Sequence, residues 1–231
     1  MNILLWFLFA LVNFALIVGV YKLFGKTGLF AWIAMGTILA NIQVTKSIDF
    51  DFGNGFIVAA TLGNIMYGTL FLVTDALGEK YGKKEAKKAV YIGFFSLIAT
   101  VIIMQMALLF EPNDFGVEIN ESMKMIFGLL PRIALGSLTA YAVSQMLDVY
   151  LFSYIKKQLP GTKWLALRNN GSTIISQFVD SLIFVPIAFL GVLPFEVVKE
   201  IFWTTYLIKV AVAFLDTPFV YLIKYIKPIE E

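Results

Sequence analysis

Two ionisable side chains fall inside long apolar runs: Asp180 in STIISQFVDSLIF and Lys209 in YLIKVAVAF. A charge at the middle of a bilayer costs about 2.5–3.5 kcal/mol on insertion scales, so such residues mark a site or a forced pairing. Gln177 lies three residues before Asp180 and shares its helical face. Elsewhere Asp75 and Glu79 stand at i, i+4, and Gln145 and Asp148 at i, i+3, with Tyr141 continuing that stripe. Asn41, Arg132 and Asp216 are further polar residues in or at the ends of apolar segments. These groups can line a polar cavity between helices and exchange hydrogen bonds there. Asp180 and Lys209 can equally pair with each other as a structural bridge. With no cysteine and no histidine in the chain, thiol chemistry, Ser-His catalysis and the usual zinc ligands are excluded.

The elements that carry these residues are membrane helices. Of the 231 residues 59% are hydrophobic and only 15% charged, with a mean hydropathy of +0.82; soluble domains average about a quarter charged. Seven apolar spans are expected, at about 3–21, 29–46, 55–77, 89–110, 125–153, 171–192 and 198–223. Each approaches the roughly 20 residues that cross a bilayer at 1.5 Å per residue. The first is too long for a signal-peptide core and lacks a basic flank, so it is expected to stay as a helix. The connecting segments alternate in charge, and 13 of the 18 basic residues fall on one side, in the loops around 22–26, 80–88 and 156–168 and at the C-terminus. The positive-inside rule then predicts an outer N-terminus and an inner C-terminus, and the cell membrane is the expected location. Asp180 lies about nine residues into its span, roughly 13 Å deep. The small residues Ala134, Ser137, Ala140 and Ser144 permit close helix packing. No linker divides the chain, so a single domain over 1–231 is expected.

Three stretches, TDALGEKYG (74–82), PRIALGSLTAYAVSQMLDVYLF (131–152) and KWLALRNNGSTIISQFVDSLIFVPIAF (163–189), resemble the queuosine precursor transporter family, also called the vitamin uptake transporter family. The resemblance covers roughly residues 28–225 and implies a six-helix core like that of the substrate-binding S-components of energy-coupling-factor transporters. Residues 1–24 lie outside it, as an additional N-terminal helix. It also implies uptake of a 7-deazaguanine base (the 7-cyano or 7-aminomethyl form, or queuine) for tRNA modification. Its motifs carry substrate contact onto Asn41, Asp75, Glu79, Arg132, Gln145, Asp148, Asn169, Asn170, Ser172, Thr173, Gln177 and Asp180, and Lys209 is added from its depth. No metal or cofactor is implied. The expected partners are a nucleobase-like small molecule and the lipid bilayer, with no nucleic acid; an energy-coupling module or a second copy of the chain stays open.

Two other classes share parts of this outline. Asp180 and Asp216 on neighbouring helices could act as an intramembrane aspartyl dyad, but the Gly-x-Gly-Asp word of such proteases is replaced by QFVD and AFLD. Lys209 in a seventh helix could hold retinal, but Asp75 falls at the wrong end to be its counter-ion. GKTG at 25–28 is only a fragment of a phosphate-binding loop, so the chain is not expected to hydrolyse ATP.

Overall fold

The computed structural model describes residues 2–53, 57–128, 130–191 and 194–229. It is a helical bundle with one small hairpin. The elements are α1 (Asn2–Gln43), β1 (Ser47–Asp51), β2 (Ile57–Thr61), α2 (Gly63–Lys80), α3 (Lys83–Ala107), α4 (Val117–Phe127), α5 (Leu130–Gln158), a 3-10 turn (Thr162–Trp164), α6 (Leu165–Phe189) and α7 (Phe195–Tyr225). Among the described residues five helical stretches are long and apolar enough to cross a membrane: Asn2–Gln43, Lys83–Ala107, Val117–Gln158, Thr162–Phe189 and Phe195–Tyr225. Their exposed faces are studded with large apolar side chains, among them Leu4, Leu8, Phe95, Ile103, Leu135, Leu182 and Leu207. In water this would be one large sticky surface; against lipid tails it is matched.

α1 is not straight. Gly25 has φ 53 and ψ −137, a backbone conformation that side-chain-bearing residues rarely adopt. A straight helix of this length would place Asn2 about 60 Å from Gln43. Instead the Asn2 Nδ2 donates to the backbone oxygen of Asp49 at 2.9 Å, six residues past the helix end. The chain therefore folds back at Gly25, and residues 2–24 and 26–43 run as two arms. Trp6, Ala10, Phe14, Ile17 and Tyr21 recur every three to four residues on the buried side of the first arm. Phe14 packs on Phe219 of α7 at 4.8 Å between ring centroids, so the first arm is built into the bundle rather than appended to it.

Three expected boundaries move. The third span was expected over 55–77, but residues 57–61 form β2, which pairs antiparallel with β1 (Ser47 opposite Thr61, Asp51 opposite Ile57). The helix starts at Gly63. Its sequence IVAAT is rich in β-branched residues that serve a strand as well as an apolar helix, which is why hydropathy alone merged the two; residues 55 and 56 lie outside the described residues. The fifth span divides into α4 and α5 around Leu129, itself outside the described residues, with Pro131 as the second residue of α5, where its missing N–H costs nothing. The sixth begins earlier, at Leu165, and ends at Phe189, where 171–192 was expected.

α2 is the axis of the bundle. Of its 18 residues, 15 are buried, so it has almost no face for lipid. It can be polar for that reason: Asn64, Thr69, Thr74 and Asp75 are all buried along it. Its hydroxyls are satisfied locally, as where Thr74 donates to the Leu70 carbonyl at 3.1 Å. α1, α3, α5, α6 and α7 surround it.

Candidate functional site

Three polar layers are stacked along α2. The first is a cleft at the hairpin end, lined by Asn41 from α1, Asn64 and Tyr67 from the first turns of α2, Ser137 from α5, Asp180 and Phe184 from α6, and Lys209 from α7. Asp180 is its hub. Its Oδ1 accepts from Tyr67 Oη at 2.8 Å and from Ser144 Oγ at 2.8 Å, and its Oδ2 is ion-paired with Lys209. Lys209 also lies 4.8 Å above the Tyr67 ring, an arrangement that favours the cation. Both members of the pair are buried, at 1% and 3% exposure. The expected pairing of Asp180 with Lys209 is therefore present, and it lines a cavity at the same time.

The cleft also holds unmatched groups. Asn41 Nδ2 donates to the Thr37 carbonyl at 2.9 Å, but among the described residues its Oδ1 has no partner, and neither has Asn64 Nδ2. A buried polar group without a partner costs about 1–3 kcal/mol. One unmatched acceptor and one unmatched donor face the same space. That space is about 330 Å3 including its open mouth, and the inner part admits little more than one water. A wider vestibule of about 870 Å3, lined by Val44, Thr45, Ala60, Ile133, Phe189 and Thr205 among others, adjoins it at the hairpin end. Phe184 and Val44 wall both spaces, so the Phe184 ring stands between vestibule and cleft. A groove of about 940 Å3 between Trp6, Phe7, Phe50 and Leu207 is roomier, but Thr204 is its one polar lining residue, and it suits an acyl chain rather than a polar solute.

The second layer lies in the C-terminal half of α2. Asp75, Asp148 and Asp216 are buried to 1%, 0% and 1% exposure. Asp148 Oδ1 accepts from Ser176 Oγ at 2.9 Å and Thr173 Oγ1 at 3.4 Å, and Asn169 Nδ2 donates to Asp216 at 2.8 Å. Thr74 donates to Gln145 Oε1 at 3.3 Å. Both oxygens of Asp75, Asp148 Oδ2, Gln145 Nε2 and both polar atoms of Gln177 have no hydrogen-bond partner among the described residues.

The third layer closes the opposite end. Glu79 Oε1 meets Lys224 at 2.6 Å, and its Oε2 meets Arg168 at 2.9 Å and Lys156 at 3.2 Å. One carboxylate of α2 thus clasps α5, α6 and α7. Lys156 further donates to the Gly78 and Glu79 carbonyls at 3.0 and 2.6 Å, and the fully buried Arg168 to those of Leu159 and Gly161 at 2.8 and 3.0 Å.

Of the residues expected to touch a substrate, Asn41, Asp180 and Lys209 come together in the cleft. Asp75, Gln145, Asp148 and Gln177 are interior but do not line it, and Glu79 belongs to the clasp. Arg132 and Asn170 stand apart. Arg132 is exposed and donates to the Ile187 and Leu190 carbonyls at 3.3 and 2.9 Å, capping the end of α6. Asn170 ties α6 to α7 through Thr217 at 2.7 Å. Sequence reasoning missed Asn64 and Tyr67. The signal was there: Asn64, Tyr67, Phe71 and Asp75 follow one helical face at spacings of three and four, but a span begun at 55 hid which end of α2 they occupy. Among the described residues no group of three or more His, Cys, Asp or Glu could hold a metal ion.

A multi-pass helical bundle with a narrow polar cleft and a clasped far end defines a class of membrane protein that handles small polar solutes. The family described as "Putative vitamin uptake transporter" matches residues 61–223. A "Probable queuosine precursor transporter" of Bacillus subtilis (strain 168) is 47% identical over 226 residues, 98% of this chain and 96% of the relative. A protein of the same description from Haemophilus influenzae (strain ATCC 51907 / DSM 11121 / KW20 / Rd) is 31% identical over 137 residues, 59% of this chain and 54% of that relative. No solved structure matches the chain. The chain belongs to the vitamin uptake transporter family, a family of transporters and not of enzymes. The near-complete match to the Bacillus subtilis relative includes most of the first arm of α1, which the resemblance of the three stretches had left outside.

Proposed function

We propose that this protein imports a queuosine precursor, a 7-deazaguanine base such as the 7-cyano or 7-aminomethyl form or queuine, across the cell membrane. The observation that carries the reading is the cleft itself, in which an ion pair and two unmatched amide atoms converge beside two aromatic rings. A guanine-like base is flat and alternates donors and acceptors along its edges. Lys209 and Asn64 Nδ2 donate to its carbonyl and ring nitrogens, and Asn41 Oδ1 accepts from its N–H groups. Tyr67 or Phe184 stacks on the ring, a contact worth about 1–3 kcal/mol for a base on an aromatic side chain. The inner cleft is too narrow for a bicyclic ring, so entry requires Phe184 to swing aside. The sequence similarity to the relatives described as queuosine precursor transporters supports the choice of base.

The topology that fits this task has seven crossings, counting the two arms of α1 and α2 separately, with the N-terminus outside and the C-terminus inside. The charge distribution supports it: 13 of the 18 basic residues gather at the clasped end, which the positive-inside rule makes cytoplasmic. The vestibule then opens outward, and the clasp seals the inner face. A six-helix core of the S-component kind, with or without an energy-coupling partner, rests on the resemblance of the three stretches. The test is genetic and chemical. A strain that cannot make the base, supplied with a low external level of it, should lose queuosine from its tRNA when this gene is deleted. Unchanged queuosine content in the deletion strain would refute the reading.

A further inference from the structure

Asp75 poses a problem that the cleft does not answer. It is buried beside Asp148, next to the Thr74–Gln145 bond that joins α2 to α5, yet among the described residues neither of its oxygens has a donor, and Asp148 Oδ2 is also unmatched. Two ionised carboxylates offer only acceptors to each other, and burial side by side makes their repulsion expensive. The charges that bear on Asp75 do not relieve it: Asp148 from α5, Asp216 from α7, and Glu79 from its own helix are all acidic. The bundle's buried bases are committed elsewhere, Lys209 of α7 to Asp180 and Arg168 of α6 to Glu79, with Lys156 and Lys224 also on Glu79. Among the described residues none of the buried side chains of α1 is charged, and the buried residues of α3 are Ala86, Ala89, Val90, Gly93 and Leu97. Among the described residues no ion pair reaches Asp75, Asp148 or Asp216. One proton placed between Asp75 and Asp148 closes the gap, since it turns an acceptor pair into a donor and an acceptor.

We propose that Asp75 and Asp148 form a proton-binding carboxyl pair inside the bundle, and that its proton travels inward with the substrate. The coupling half rests on the import reading above. The geometry links the two sites through α2, which bonds Tyr67 to Asp180 at one level and joins α5 through Thr74 and Gln145, beside Asp75 and Asp148, at the next. The partner helices repeat the link at four-residue spacing. On α5 Ser144 serves Asp180 and Asp148 belongs to the pair; on α6 Ser176 serves Asp148 and Asp180 belongs to the cleft. With the proton bound, α2 packs against α5 and α6. Loss of the proton leaves two like charges face to face and pushes α2 away, which withdraws Tyr67 from Asp180 and reshapes the cleft. A ligand that holds the cleft closed therefore favours the protonated pair, and by linkage the proton favours the bound ligand.

Two measurements on the full-length protein in lipid vesicles test this. The first uses no substrate. Infrared difference spectra across a pH titration should show the carbonyl stretch of a protonated carboxyl, lost in Asp75→Asn and in Asp148→Asn. Asp75→Glu, which keeps the acid, should keep the band and serves if the amides fail to fold. A band that survives in both folded amide variants overturns the proposal. The second uses 7-cyano-7-deazaguanine. Wild-type vesicles should exchange it in counterflow without any gradient. A gradient of one pH unit, acid outside, should raise its accumulation up to about tenfold for one proton per base. Asp75→Asn should show no gain from the gradient. Accumulation that ignores the pH gradient, or follows sodium, overturns the coupling. A band without any counterflow overturns the choice of base and the coupling together, while leaving the proton pair standing.

Discussion

Glu79 and Asp180 are both carboxylates held by ion pairs inside the same bundle, yet their surroundings differ in kind. Glu79 meets three cations from three helices, and two of those cations also bind backbone carbonyls. Among the described residues it lines neither the cleft nor the vestibule. Asp180 meets one cation and two hydroxyls, and beside it lie an open space and two unmatched amide atoms. The difference separates a fastening from a binding site. A fastening surrounds its charge with every donor within reach, whereas a site keeps hydrogen-bonding capacity in reserve for something that comes and goes.

Breaking the Asp180 side should have the largest effect. Asp180→Ala leaves Lys209 buried without a partner, at a cost of about 3–5 kcal/mol, and should lower the melting temperature of the purified protein and abolish uptake. The double change Asp180→Ala with Lys209→Met removes both charges. It should recover most of the thermal stability but none of the uptake. Recovery of transport in the double variant would mean that the pair only holds helices together.

Breaking the Glu79 side should act on stability first. Glu79→Gln leaves three cations facing a neutral amide. Because Lys156 and Lys224 are partly exposed, water screens them and the loss should be about 2 kcal/mol. Base binding measured from the vestibule side should persist. If binding falls as far as in Asp180→Ala, the division between fastening and site fails.

Finer changes sharpen the contrast. Asn41→Ala removes an unmatched acceptor in the cleft and should weaken base binding by about 1–2 kcal/mol, roughly ten-fold, with little change in melting temperature. Arg132→Ala should do least. It removes an exposed cap on α6 and should shift stability by no more than about 1 kcal/mol, leaving uptake near the wild-type rate. A large loss of uptake in Arg132→Ala would show that the vestibule rim takes part in binding.

How much of this could be read from the chain alone follows from the range of each interaction. Lys209 and Asp180 sit deep in consecutive apolar runs, so their cost in lipid announced them and their helices made a meeting plausible. The gathering of lysines on alternate loops was legible for the same reason, since it is a property of sequence position. The clasp was not. Glu79 finds Arg168 and Lys224 89 and 145 residues away in the chain, and nothing local distinguishes those two from other basic residues at helix ends. Tyr67 and Asn64 escaped because β2 is as apolar as the helix that follows it. The turn at Gly25 sits in a run that hydropathy reads as two spans, and the non-helical Gly25 backbone together with the Asn2–Asp49 contact shows that the two arms fold back on each other.

The near-total burial of α2 bears on how the protein is made. A nascent segment enters the bilayer by partitioning its own surface into lipid, and this one, with Asn64, Asp75, Glu79 and Lys80 among 18 residues, offers poor terms for doing so alone. It is not among the five stretches apolar enough to span by themselves. Its entry must therefore wait for company: α3 follows after a turn of only two residues, and the pair can be threaded across as one hairpin, with the earlier arms of α1 already in place to shield the polar side. The most polar part of the machine is thus the last to be at home in the membrane, and the assembly of its neighbours is a condition for its existence as a helix there.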